Sequence, residues 1–490
     1  MTLTEPTLAT PSPTDPTAPT LDDVLQAQKS AFLQEGVPSI ETRRDRLMRL
    51  QEALASHAED LATAIDADFG TRSRALSLAG DVMYTVGEIA ELRAFLPQWL
   101  KSETPHSLRR AIGLSQEIRP TPLGVVGVAG PWNFPIQLSM VPAAGALAAG
   151  NRVMIRPSSA TYRTGKVLAQ AIAKYFDPTE LSVITAEYGP GSAFSRLPFD
   201  SFFFTGSPEI GREVARDCAA NLVPVALELG GKNPAIVDHD ADIGRVARRI
   251  AGAKLLNSGQ VCLSPDYVFV PTQLLPDFVT HVLHAWRRAC PQVLNNPDYT
   301  SIINEANYNR IVDHIEDARE LGATVHQHIP QRENLPDRES RKIPPTLITG
   351  LAPGMTIEED EIFGPVLSIH AYDDIDGVIT FINERPSPLT MYWYGPDNER
   401  KRVLIDRTRT GSVNCNEFML HMMPTADMPF GGVGNSGYGY YHGKYSIQNF
   451  SHARALMTYR GPVSFSPLMA PRFMGKSTRL ISGILRLMRQ

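Results

Sequence analysis

Gly124-Val125-Val126-Gly127-Val128-Ala129-Gly130-Pro131-Trp132-Asn133-Phe134-Pro135 sits inside a stretch, 120–151, that carries no charged side chain. Such a length invites a membrane reading, but Pro122, Pro131, Pro135 and Pro142 interrupt it, and Asn133 and Gln137 would lack partners in lipid. A buried strand, a Pro-bounded turn and a buried helix over 138–149 make the better reading. Working outward, further apolar strands are expected at 152–155, 181–185, 201–204 and 223–227, with helices at 161–175 and 208–220. Strand and helix alternate on short links, so the fold class is α/β, on a mostly parallel sheet covered on both faces. Ligands of such sheets bind beyond the carboxyl ends of the strands.

Upstream, Leu47, Leu50, Leu54, Leu61 and Ile65 recur at helical steps among Arg, Glu and Asp, and a second run covers 81–100. The region 21–100 therefore reads as amphipathic helices laid over the sheet. Residues 1–20 are rich in Pro and Thr, with no Lys, Arg or apolar core, and read as a disordered tail and not an export signal. Downstream, a second block begins at Glu228, with strands expected at 234–237 and 267–270 and helices at 243–257, 273–289 and 307–321. The polar segment 326–343 reads as a surface excursion, and the acidic run 358–361 as solvated by default.

Composition removes several function classes. A formal net charge of -5 and a pI near 6.2 give no long-range field for nucleic acid or an anionic membrane. Four scattered cysteines build no disulfide scaffold and suit a reducing, cytoplasmic setting, and the histidines show no metal-ligand spacing, so no metal is expected.

Three stretches carry chemistry. Gly259-Gln260-Val261-Cys262, with Glu228-Leu229-Gly230-Gly231-Lys232 upstream, suggests a thiol nucleophile beside a general base. The other cysteines, Cys218, Cys290 and Cys415, read as small buried hydrophobes. Thr205-Gly206-Ser207-Pro208-Glu209-Ile210-Gly211 closes a strand and opens a helix, with Ser207 as N-cap and Pro208 at the first helical position. A helix start of that kind presents free N–H groups to an anion, although taken alone it is more often an ordinary capped helix. Arg212-Glu213 stand where a P-loop needs Lys-Ser/Thr, which excludes a P-loop hydrolase.

Taken in order, Pro131-Trp132-Asn133-Phe134-Pro135, Phe204-Thr205-Gly206-Ser207, Glu228-Leu229-Gly230-Gly231-Lys232, Gly259-Gln260-Val261-Cys262 and Glu361-Ile362-Phe363-Gly364-Pro365 resemble the aldehyde dehydrogenase superfamily. Ser264-Pro265-Asp266-Tyr267, Pro429–Gly437 and Tyr441-His442-Gly443 look like its class 3 and coniferyl aldehyde dehydrogenase branch. The resemblance implies two open, mostly parallel α/β domains, for cofactor and catalysis, and a small β oligomerisation element. It places the cofactor domain at 21–227, with 109–121 lent to that element, the catalytic domain at 228–425, and a return to the cofactor domain with an oligomerisation strand and tail at 426–490. A homodimer is the expectation.

The implied activity is oxidation of an aldehyde to the acid through a thiohemiacetal and thioester on Cys262, with Asn133 and the Cys262 N–H as oxyanion donors and Glu228 as base for water. NAD or NADP would be held by Arg156, Ser159, Thr205, Gly206, Ser207, Ile210, Leu229, Gly230, Glu361 and Phe363. Where the family usually has Lys-Pro-Ser-Glu, this chain has Arg156-Pro157-Ser158-Ser159. The missing carboxylate removes repulsion of a 2′-phosphate, so NADP acceptance is expected, unless Arg156 pairs elsewhere. The substrate wall would include Trp132, Phe134, Leu138 and His421, and its Met and aromatic content favours medium-chain aliphatic or aromatic aldehydes. Bland readings stay open: Glu228 bridging Lys232, and Asn133 merely stabilising its turn. So do a CoA-acylating relative and a non-catalytic protein on the same scaffold. Basic and apolar residues over 476–490 form an amphipathic tail that either packs on the subunit or lies weakly on a membrane surface.

Overall fold

The computed structural model describes residues 19–105, 113–420 and 428–461, with scattered positions beyond. Residues 1–18 of the expected tail and most of the 476–490 helix lie outside the described residues, whereas Thr20, the last of that tail, caps the first helix. Among those described, no helix is long and apolar enough to cross a membrane. The chain divides into two compact units, one built from residues up to Trp99 and Pro122–Ser451, the other from Leu100–Thr121 and residues from His452 onward.

The larger unit holds two sheets. In chain order the strands are β1 Leu114–Pro122, β2 Val125–Ala129, β3 Arg152–Arg156, β4 Leu181–Val183, β5 Ser201–Gly206, β6 Val225–Leu229, β7 Asn233–Val237, β8 Pro265–Pro271, β9 Thr324–Gln327, β10 Thr346–Thr349, β11 Val366–Tyr372, β12 Thr390–Tyr394, β13 Ser412–Cys415, β14 Gly437–Tyr438 and β15 Ser451–Tyr459. One sheet runs β14-β6-β5-β2-β3-β4 and the other β13-β12-β7-β8-β11-β10-β9. All pairings in them are parallel except the edge strands β14 and β9. Strands β2, β3, β7 and β8 are buried almost throughout, because a parallel strand covered on both faces has no wet side. The uncharged stretch resolves into β2, the turn and the fully buried helix Gln137–Ala149. The helix Leu21–Glu35 packs Val24 and Leu25 against Val125 and Met154 of the first sheet.

Two expectations need correction. Segment 326–343 is not wholly a surface excursion: Thr324–Gln327 pairs with β10, and Lys342 is buried. Its ammonium donates to the carbonyls of Val293, Leu294 and Asn296, which satisfies a charge that in sequence reads as solvated. The run at 81–100 is not one α-helix either, since a π-helical segment, Ser77–Met83, leads into the helix Tyr84–Trp99.

In the smaller unit β1 and β15 form a two-stranded sheet. The oligomerisation strand, expected around 445–459, begins only at Ser451, because Gly443–Asn449 is helical.

Candidate active site

The register of the first sheet joins two motifs that are well separated in sequence. Thr205 lies opposite Glu228, and Gly206 opposite Leu229, across β5 and β6. Ser207 caps the helix Pro208–Ala220, its hydroxyl accepting from the Ile210 N–H at 3.4 Å. Thr205 Oγ1 is buried without a hydrogen-bond partner. So are both carboxylate oxygens of Glu228, whose residue is 3% exposed. Burial holds the Glu228 carboxyl well above the usual carboxylate range. Lys232 does not bridge it; its ammonium pairs with Asp266 and donates to the carbonyls of Ile357 and Asp360.

Cys262 follows an unusual piece of backbone. Asn257, Ser258 and Gly259 all have positive φ, at 49°, 51° and 73°. At Gly259 a Cβ would lie 2.1 Å from the Gly364 carbonyl oxygen, so only glycine fits. Buried Gln260 fixes the loop: its amide nitrogen donates to the Asn257 and Ser301 carbonyls, and its amide oxygen accepts from the Ile303 N–H. Burial pushes the Cys262 thiol up to about 12, and the carboxylates of Glu361 and Glu228 add to this, while the N–H groups of Cys262 and Leu263 oppose it. Cys262 and Glu228 are thus within electrostatic reach of each other. The Asn133 amide nitrogen donates to the Gln260 carbonyl at 3.2 Å, which puts the turn against the cysteine loop.

Glu361 closes the site from the second sheet. A Cβ on Gly230 would lie 2.2 Å from a Glu361 carboxylate oxygen, so the two segments press together. Burial and nearby Asp266 push the Glu361 carboxyl up to about 8, against the pull of the Gly231 N–H, Arg310 and Lys232. Its loop is pinned by Arg310, which donates to the Glu361 and Ile362 carbonyls, and by Asp266, which accepts from the Ile362 N–H. Phe363, at φ 46°, meets the Trp132 ring edge-on at 5.4 Å. Phe134 and Leu138 are buried, and Ile210 is exposed. His421 lies outside the described residues.

At the far rim, Arg156 is 8% exposed, and its guanidinium donates to the carbonyls of Ile184, Thr185 and Gly189. Neighbouring Ser159 begins a short 3-10 turn. Arg310, Asp266 and Tyr441 were missed as site residues. Tyr441 is buried, and burial together with Glu228 and Cys262 among its neighbours raises its phenol well above the ordinary value. Its sequence signal was the branch motif Tyr441-His442-Gly443, to which no site role had been attached. Among the described residues no group of three or more His, Cys, Asp or Glu is placed to hold a metal ion.

The sequence model of the aldehyde dehydrogenase family matches residues 8–456. This chain belongs to that family. It is 42% identical over 91% of its length to a coniferyl aldehyde dehydrogenase of Pseudomonas sp. (strain HR199 / DSM 7063), covering 92% of that protein. It is also 34% identical over 87% of its length to aldehyde dehydrogenase family 3 member A2 of Pongo abelii, of which 86% is covered. Among solved structures, the substrate-bound state of Staphylococcus aureus AldH superposes with a TM-score of 0.86 at 31% identity, over 95% of this chain and 100% of that one. As an aldehyde dehydrogenase the protein is an NAD(P)-dependent oxidoreductase.

Proposed function

We propose that this enzyme oxidises aromatic or medium-chain aliphatic aldehydes, coniferyl aldehyde among them, to carboxylic acids through covalent adducts on Cys262. One observation carries the reading: a carboxylate out of water, with neither oxygen bonded, stands within electrostatic reach of the only cysteine that follows a strained, glycine-dependent loop. The Cys262 thiol gives up its proton to solvent, and the resulting thiolate adds to the aldehyde carbon. The oxyanion so formed is met by the Asn133 amide and the Cys262 N–H, and losing one such donor costs about 10²–10³ in rate. NAD(P)+, when bound, supplies the acceptor for the aldehyde hydride.

The residues present suit that cofactor. Thr205 Oγ1 has unspent hydrogen-bonding capacity, and the N-terminus behind Ser207 offers free N–H groups for a pyrophosphate. Gly206, Ile210, Leu229 and Gly230 would complete that cradle, and Glu361 and Phe363 would hold the nicotinamide end. Ser159 offers no carboxylate to repel a 2′-phosphate, so both NAD and NADP are accepted, with Arg156 shaping the rim through its carbonyl contacts. The thioester on Cys262 is then hydrolysed by water that Glu228 deprotonates, a role its raised pKa suits. Trp132, Phe134, Leu138 and His421 would form the apolar substrate wall. The bacterial relatives named as coniferyl aldehyde dehydrogenases support the aromatic end of that range. We assign β1 and β15 to a homodimer contact.

Rapid-quench kinetics of Glu228→Gln tests the proposal. One equivalent of reduced cofactor should form per Cys262 and turnover should then stall; unchanged steady turnover refutes the base.

A further inference from the structure

Behind the Asn133 turn lies an ion pair that takes no part in the chemistry above. Arg72 and Asp81 meet at 2.8 Å with both side chains 0% exposed. Burial draws the Arg72 pKa down and the Asp81 pKa up, each opposed by the partner's charge. A buried pair of this kind is weak evidence for stability, because desolvation offsets most of the attraction. Its other contacts explain why it is there.

Arg72 Nη1 donates to the Asn133 backbone carbonyl at 2.7 Å. Its guanidinium also lies 4.9 Å from the ring centres of both Phe69 and Phe134. Asp81 Oδ1 accepts from the N–H groups of Ile136 and Gln137, at 3.1 and 3.3 Å, where the next helix begins. The turn is therefore held at Asn133 itself and again where the helix begins. The same Asn133 carbonyl accepts from Asn257 Nδ2, which also donates to the Gln260 carbonyl that receives the Asn133 amide. Asp81 sits in the π-helical segment Ser77–Met83, and one extra residue per turn there re-aims its side chain. Neighbouring Gly80 has no Cβ to press on the Phe134 ring, which would stand 3.2 Å away.

We propose that Arg72 and Asp81 are positioning residues that act through Asn133, holding its amide where the oxyanion develops. This rests on the reading of Asn133 as an oxyanion donor. Loosening the clamp moves a donor off its target, and a displacement of about 1 Å can cost roughly 10²-fold in rate.

The test is a double-mutant cycle of Arg72→Lys with Asn133→Ala in the full chain, with Asp81→Glu as a second clamp variant. Turnover is normalised to folded enzyme, taken from the native amplitude of a urea melt, so that unfolded enzyme is not counted. We expect each clamp variant to lower kcat about 10- to 100-fold with little change in KM for NAD, and to have little further effect once Asn133 is Ala. Asn133→Ala slow but clamp losses simply multiplying with it overturns the proposal alone. A clamp variant that loses only folded protein, with kcat per folded molecule unchanged, overturns it too. Asn133→Ala at full speed overturns the oxyanion reading, and the clamp with it.

Discussion

Glu228 and Asp81 are two carboxylates removed from water in one enzyme, and they are treated in opposite ways. Asp81 has its charge matched by Arg72 and one oxygen shared by two backbone amides. Glu228 has nothing at either oxygen. Burial raises the pKa of both. A buried polar group with its bonds spent fixes geometry, whereas one left unbonded carries a cost that the fold alone does not reward. The difference separates scaffold from chemistry without reference to position.

The largest expected effect falls on the Cys262 sulfur near Glu228. Cys262→Ala should abolish cofactor reduction, burst included, while melting like the parent; residual oxidation in a single-turnover assay would remove the covalent route. Stability then divides the two carboxylates. Asp81→Asn leaves Arg72 buried beside a neutral amide and should cost about 3–5 kcal/mol in urea melts. Glu228→Gln breaks no bond and should stay within about 1 kcal/mol of the parent. Equal losses would erase the contrast.

A smaller effect sharpens the electrostatics. Glu361 titrates near 8, so below that pH it is neutral, and above it the anion helps raise the Cys262 thiol. Glu361→Gln should therefore speed iodoacetamide labelling of Cys262 by about three- to tenfold at pH 9 and hardly at pH 6. Equal acceleration at both values would exclude the charge as cause. The smallest change concerns the helix beside Thr205: Ser207→Ala removes the cap on the Ile210 N–H and should cost about 1 kcal/mol in urea melts.

Part of this was legible in the chain itself. The uncharged 120–151 stretch announced strand, turn and buried helix, because parallel strands wet on neither face must be apolar throughout. The helix Pro208–Ala220 was readable to the residue, since Ser207 and Pro208 mark its start chemically. The charged residues were harder. Lys342 fell in the expected surface excursion, Lys232 was weighed only as a partner for Glu228, and Arg310 and Arg72 gave no signal, yet each turns its head group onto backbone carbonyls.

The alternation of apolar strands and helices determined the α/β class, and the order of short motifs the family and the candidates Cys262, Glu228 and Asn133, because each depends on local backbone demands that few residue types meet. Only the tertiary structure decided which buried charges are satisfied: Arg72 reaches Asn133 across 61 positions of chain, and Arg310 reaches Glu361 across 51. A hydrogen bond between distant segments leaves no periodicity for a sequence to display. Its partner is a carbonyl, which every residue has.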